Sequence, residues 1–177
     1  MDAEARSYPI GRFHHEGVSS RDERARSIRR IAELPREVRA GVDGISAAEW
    51  DRTYRDGGWT VRQLVHHLPD SHANAFIRFK LGLTEESPTI RPYDQAAWAR
   101  LPDVAGTPPP VSLDFLEALH ARWTVLLAAM TEADFARTIV HPEHPAAITL
   151  DWMLAQYDWH GRHHLGHIRL ALGRQAP

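Results

Sequence analysis

The amino-acid sequence predicts an all-α protein, a bundle of four main helices in a single domain spanning residues 1–177. Three observations carry this. Four segments place apolar residues at helical spacing, capping-box patterns mark several helix starts, and no segment holds a convincing strand pattern. A chain of 177 residues also suits one domain with one core.

Residues 1–18 read as irregular. Ser20-Arg21-Asp22-Glu23 has the form of a capping box, and Ala25, Ile28, Ile31, Ala32 and Leu34 then follow helical spacing. Pro35 is expected to end or restart this helix, with a short segment running on to Gly41, because proline lacks the N–H that an interior turn needs. Ser46 to Glu49 opens about one further turn. After the Asp56-Gly57-Gly58 turn, Thr60 to Gln63 forms a third capping box and starts a long helix to about Leu83, with a kink or local adjustment at Pro69.

Residues 84–111 hold six prolines and form a long connection, with one short helix near Asp94–Arg100. That length rules out a plain up-down bundle with short loops, and long connections are often functional. Ser112–Met130 is the third long helix, with Leu113, Leu116, Leu119, Trp123, Leu126 and Leu127 as its apolar positions. Residues 137–148 read as extended or irregular. Thr149 caps the last helix, and Gly173 closes it as a left-handed residue.

A formal net charge of -2 argues against wholesale phosphate neutralisation, so no nucleic-acid partner is expected. Arginines 21 to 30 alternate with acids and read as a solvated face. No apolar run approaches a spanning helix, and the first ten residues lack a signal pattern, so a soluble, cytoplasmic protein without membrane association is expected. There is no cysteine, which excludes disulfides, thiolate ligands and a cysteine nucleophile. Histidine is abundant at 12, and it is clustered: His160, His163, His164 and His167 in one group, His66, His67 and His72 in another.

His160 and His164 stand four apart on the last helix, so their imidazoles can converge on one ion. On a helical wheel Leu150, Leu154, Tyr157, Leu165, Ile168 and Leu172 form the apolar stripe. His164 sits at its shoulder with His160 just beyond; His167 stays in play, and His163 points nearly opposite. On the second helix Val61, Leu64, Leu68, Ala75 and Phe79 form the stripe, and the wheel does not choose between His67 and His72 as the third ligand. The plainer reading of a lone helical histidine is a packing or surface residue with a backbone partner, and it is preferred for His14, His15, His120, His141 and His144. His66 and His163 read as supporting or surface groups. The six tryptophans show no regular spacing and read as core.

The run Gly58-Trp59-Thr60-Val61-Arg62-Gln63-Leu64-Val65-His66-His67-Leu68, then Asp70-Ser71-His72, resembles the YfiT branch of the DinB-like superfamily. So do Ile77-Arg78-Phe79-Lys80, Ile90-Arg91-Pro92-Tyr93, Tyr8-Pro9-Ile10-Gly11, and Thr149 to Leu154 followed by Trp159-His160-Gly161-Arg162-His163-His164. The resemblance covers nearly the whole chain; one departure is Pro69, where a small helix former is expected. It implies a DinB/YfiT-like four-helix bundle whose metal ligands are His67, His160 and His164. It further implies a metal-dependent hydrolase and a homodimer, with thiol transfer known from wider relatives.

Three neutral imidazoles leave a divalent ion its full charge and an open position, and zinc and nickel both accept such a set. Such an ion lowers the pKa of water from about 15.7 to near 7, or binds an external thiolate equally well. The expected activity is hydrolysis of a small molecule. The alternatives are S-transfer from a low-molecular-weight thiol and a non-catalytic metal-binding stress-response bundle. Asp70, one turn from His67, is the candidate for orienting a ligand histidine, ahead of Glu16 and Asp158.

Overall fold

The computed structural model describes residues 3–144 and 146–174. Four long helices dominate: α2 (Arg21–Val42), α4 (Val61–Thr84), α7 (Pro109–Ala129) and α9 (Leu150–Ala171). Short helices stand between them: α1 (Ala3–Ser7), α3 (Ala47–Trp50), α5 (Gln95–Trp98), α6 (Pro102–Gly106) and α8 (Glu132–Phe135). The all-α four-helix expectation holds. Thr60 caps α4 and Thr149 caps α9 through their side-chain oxygens, and Gly173 ends the last helix at φ 68°.

Four local readings need correction. Residues 1–18 contain α1. The connection after α4 carries α6 as well as α5, and α7 starts three residues early because Pro109 and Pro110 suit a first turn. The extended reading of residues 137–148 holds at its two ends, where a short antiparallel ribbon pairs β1 (Thr138–Ile139) with β2 (Ile148–Thr149). Finally, α2 runs unbroken through Pro35. The carbonyl of Ile31, which a residue-35 N–H would have bonded, accepts instead from His120 Nδ1 at 2.6 Å. α4 likewise continues through Pro69.

The helices α2 and α4 each pack against both α7 and α9, so consecutive long helices α2 and α4 lie diagonally, as do α7 and α9. Two apolar clusters fill the bundle. One gathers Leu34, Val38, Leu64, Leu68, Leu116 and Leu165; the other gathers Ile31, Ala75, Phe79, Trp123, Leu127 and Leu154. Residues near the starts of α4 and α7 and near the ends of α2 and α9 belong to the first cluster, so α4 and α7 run parallel while neighbouring each other. That geometry explains the long connection. A helix of 24 residues rises about 36 Å, and the chain must recross that length before α7 can begin. Between the two clusters each long helix except α2 contributes histidine: His67 and His72, His120, and His160 and His164.

Candidate metal centre

His160 and His164 project from consecutive turns of α9 toward His67 on α4. His160 Nε2 lies 3.3 Å from His67 Nε2 and 3.1 Å from His164 Nε2. The structure thus brings together the three histidines that the resemblance singled out. His67 and His164 are buried, and His160 is partly accessible. Burial pushes His67 down to about 4 and holds His160 and His164 well below the ordinary imidazole range. All three are therefore neutral, the form that binds a metal.

This donor set fits a divalent ion. Ligands about 2.0–2.1 Å from a tetrahedral zinc stand about 3.3 Å apart, close to the separations here. His163, His164 and His167 also converge, sharing His164, but His167 Nε2 already contacts the Ser7 carbonyl at 3.2 Å.

The α9 ligands are backed by further rings. His160 Nδ1 lies 3.1 Å from His72 Nε2, whose Nδ1 lies 2.8 Å from His120 Nε2. His164 Nδ1 lies 3.4 Å from His167 Nδ1. Burial lowers His120 and His167 to about 4 and His72 far below its usual range, so these rings are neutral too. Sequence reasoning missed His120, reading it as an isolated packing residue. The signal available was Pro35, whose missing N–H leaves the Ile31 carbonyl without a helix partner; that His120 is the group that meets it comes from the packing of α7 on α2.

His163 also departs from the wheel, being 7% exposed. The N-terminal segment covers that side of α9, with Tyr8 near its ring and Trp159 stacked on it at 4.3 Å. Tyr54 stacks on His167 at 3.8 Å, and Trp59 packs beside His67 at 4.7 Å. His66 is buried as well, its Nδ1 sitting 2.7 Å from Ser112 Oγ. Asp70 forms no hydrogen bond to a ligand histidine among the described residues. Burial, then Asp103, raises its carboxyl to about 6. Asp158 faces α2, accepting from Ser27, Arg30 and Arg162, and Glu16 is exposed beside His14.

Two cavities reach His160. One of about 740 Å³ is lined by Ser71, Arg78, Tyr93, Gln95, His141 and Tyr157 among others. The other, about 490 Å³, includes Tyr8, Tyr54, Arg55, Trp59 and His164. Gln95, from the long connection, lines both. Arg78 is held by the Tyr157 hydroxyl at 3.3 Å and the Arg91 carbonyl at 3.2 Å.

The chain is 46% identical over 162 residues to YfiT of Bacillus subtilis (strain 168), named as a candidate metal-dependent hydrolase; the match covers 92% of this chain and 91% of that one. A similarly named protein of Oceanobacillus iheyensis is 45% identical over 91% of this chain and 92% of its own. The solved structure of Bacillus subtilis YfiT, described as a probable metal-dependent hydrolase with an unusual four-helix bundle topology, superposes with a TM-score of 0.91 at 43% identity, covering 96% of this chain and 99% of that one. A mycothiol-dependent maleylpyruvate isomerase shares the fold alone, with a TM-score of 0.59 at 15% identity over 79% of this chain and 60% of its own. Residues 30–168 match the DinB superfamily, and with these relatives beside that match the chain belongs to it.

Proposed function

We propose that this protein is a metal-dependent hydrolase of a small molecule, holding one divalent ion, zinc or nickel, through Nε2 of His67, His160 and His164. The convergence of three neutral Nε2 atoms beside an accessible cavity carries this reading. The names of the Bacillus subtilis and Oceanobacillus iheyensis relatives support it. When bound, the ion would supply Lewis acidity and a lowered pKa for water at its open position.

The chain's own groups do the rest. His160 is the ligand that both cavities reach, so substrate is received on its side. Burial raises Tyr93 to about 12, keeping its hydroxyl protonated as a donor in the larger cavity. Arg78 offers a cation on the same wall, and the connection contributes Tyr93 and Gln95 to its lining.

One observation favours a second reading, S-transfer from a low-molecular-weight thiol to an electrophile. Two cavities meet at His160, room for two reactants, and a chain without cysteine needs its thiol from outside. Metal analysis of the purified protein beside His160→Ala tests the centre. About one equivalent in the wild type, lost in the variant, is expected. No metal in either after reconstitution with zinc or nickel would overturn the reading. Esters, amides and thiol–electrophile pairs offered to the loaded protein then separate the two activities.

A further inference from the structure

We propose that two backbone carbonyls, those of Ile31 and Ser7, dictate where the protons sit on His160 and His164, and so leave both ligand Nε2 atoms bare before any ion arrives. The inference rests on the metal-centre reading for its purpose, but its chemistry is independent of it.

A carbonyl carries no proton, so a ring nitrogen bonded to one must supply it. His120 Nδ1 is 2.6 Å from the Ile31 carbonyl and is therefore protonated. A neutral imidazole has one proton, so His120 Nε2 is bare and must accept. His72 Nδ1, 2.8 Å away, supplies that proton, which leaves His72 Nε2 bare. His160 Nδ1, 3.1 Å from it, then carries a proton, and His160 Nε2 carries none. A second chain gives the same result for the other α9 ligand. His167 Nε2 donates to the Ser7 carbonyl at 3.2 Å, so His167 Nδ1 is bare and accepts from His164 Nδ1 at 3.4 Å. His164 Nε2 is left bare.

Both anchors are free for structural reasons. The Ile31 carbonyl has no helix partner because Pro35 has no N–H, and Ser7 ends α1, where the last carbonyls lie beyond the helical ladder. The consequence is chemical. The 3.1 Å approach of His160 Nε2 to His164 Nε2 has no proton to share, so two lone pairs face one point. That arrangement suits a shared cation. His72, His120 and His167 are thus positioning residues for the ligands, His120 acting through an intervening ring.

Long-range proton–nitrogen NMR of the metal-free, ¹⁵N-histidine-labelled protein tests this directly. The wild type should show His160 and His164 protonated at Nδ1 and bare at Nε2; protonated Nε2 on either ring would overturn the proposal. Removing the anchor with His120→Phe should let His72 turn its proton toward His160, giving His160 a mixture of tautomers. Zinc affinity, measured by chelator competition, should fall about 10- to 100-fold. His120→Gln, which can still donate to Ile31 and accept from His72, should restore both readouts. Unchanged tautomers and affinity in His120→Phe, or equal losses in the two variants, would overturn the relay. If His120→Phe does not fold, the wild-type tautomers and the His120→Gln variant still decide. If the wild type binds neither zinc nor nickel, the metal reading falls while the tautomer spectrum still judges the relay.

Discussion

Gly161 lies between the two α9 ligands and against α2. A methyl group there would overlap Leu34 Cδ2 outright and sit 3.3 Å from Cδ1 and 3.4 Å from Cγ. Leu34 is 3% exposed inside the first apolar cluster, so its side chain has no solvent to swing into. Ordinary carbon contacts are about 3.5–4.0 Å, and relief requires α2 and α9 to part by on the order of 1 Å. Gly161→Ala gains about 0.5–1 kcal/mol of helix propensity, and overpacking costs about 1–3 kcal/mol. At mid-range the loss wins, with a net destabilisation of about 1 kcal/mol (at most about 2.5 kcal/mol) and a fall in zinc affinity, because residues 160 and 164 move with the helix. Chemical denaturation and chelator competition read the two effects. Adding Leu34→Ala vacates the contested space, so the double variant should be more stable than the two single changes predict, by about 0.5–3 kcal/mol. A Gly161→Ala protein at least as stable as wild type, with unaltered zinc affinity, would refute the close-packing argument.

The remaining predictions concern pH and the start of α9. His67 and His120, 4% and 1% exposed, are lowered to about 4, whereas an unfolded histidine titrates near 6.5. Between those values the unfolded chain takes up protons that the fold refuses, so metal-free stability should be level above about pH 7 and fall as pH drops toward 4. The loss is about 2 kcal/mol per ring by pH 5. Urea midpoints that agree at pH 7 and pH 5 would contradict it. Asp151, 3% exposed, accepts from Arg24 Nε at 2.6 Å and from the Ser19 N–H at 2.8 Å. Asp151→Ala leaves a buried guanidinium with Glu132 as its one carboxylate partner among the described residues, and should cost about 3–5 kcal/mol in thermal or denaturant unfolding.

Helix existence was legible because it depends on local pattern. Capping boxes at Ser20, Ser46 and Thr60 appear in the structure as such, and the apolar stripes of α4 and α9 are buried residue for residue. His163 was misjudged for a tertiary reason. Its face of α9 is polar by the wheel, yet the N-terminal segment lies over it, with Gly166 admitting Pro9 close enough that a methyl group would come within 2.8 Å of its ring. Nothing in α9's own periodicity announces that cover. The choice between His67 and His72 was undecidable by angle because both face inward: one meets His160 at Nε2, the other at Nδ1. Such a difference belongs to the ring's two nitrogens, below the resolution of any wheel.

Pro35 shows the same limit from the other side. As a local signal it is a helix breaker, and read locally it ends or restarts the helix, with a short segment on to Gly41. Within the bundle, α2 is clamped between α7 and α9, and packing of an apolar face outweighs one missing hydrogen bond. The orphaned carbonyl does not stay orphaned; it takes the proton of His120. A polar layer inside a core is stable only when its groups are satisfied, since a half-satisfied network is worse than an apolar one. Here the chain from Ile31 to His160 satisfies each ring in turn until one nitrogen remains, and that nitrogen faces its counterparts from His67 and His164. The helix-breaking residue and the candidate metal centre are, on this argument, two ends of one hydrogen-bonded line.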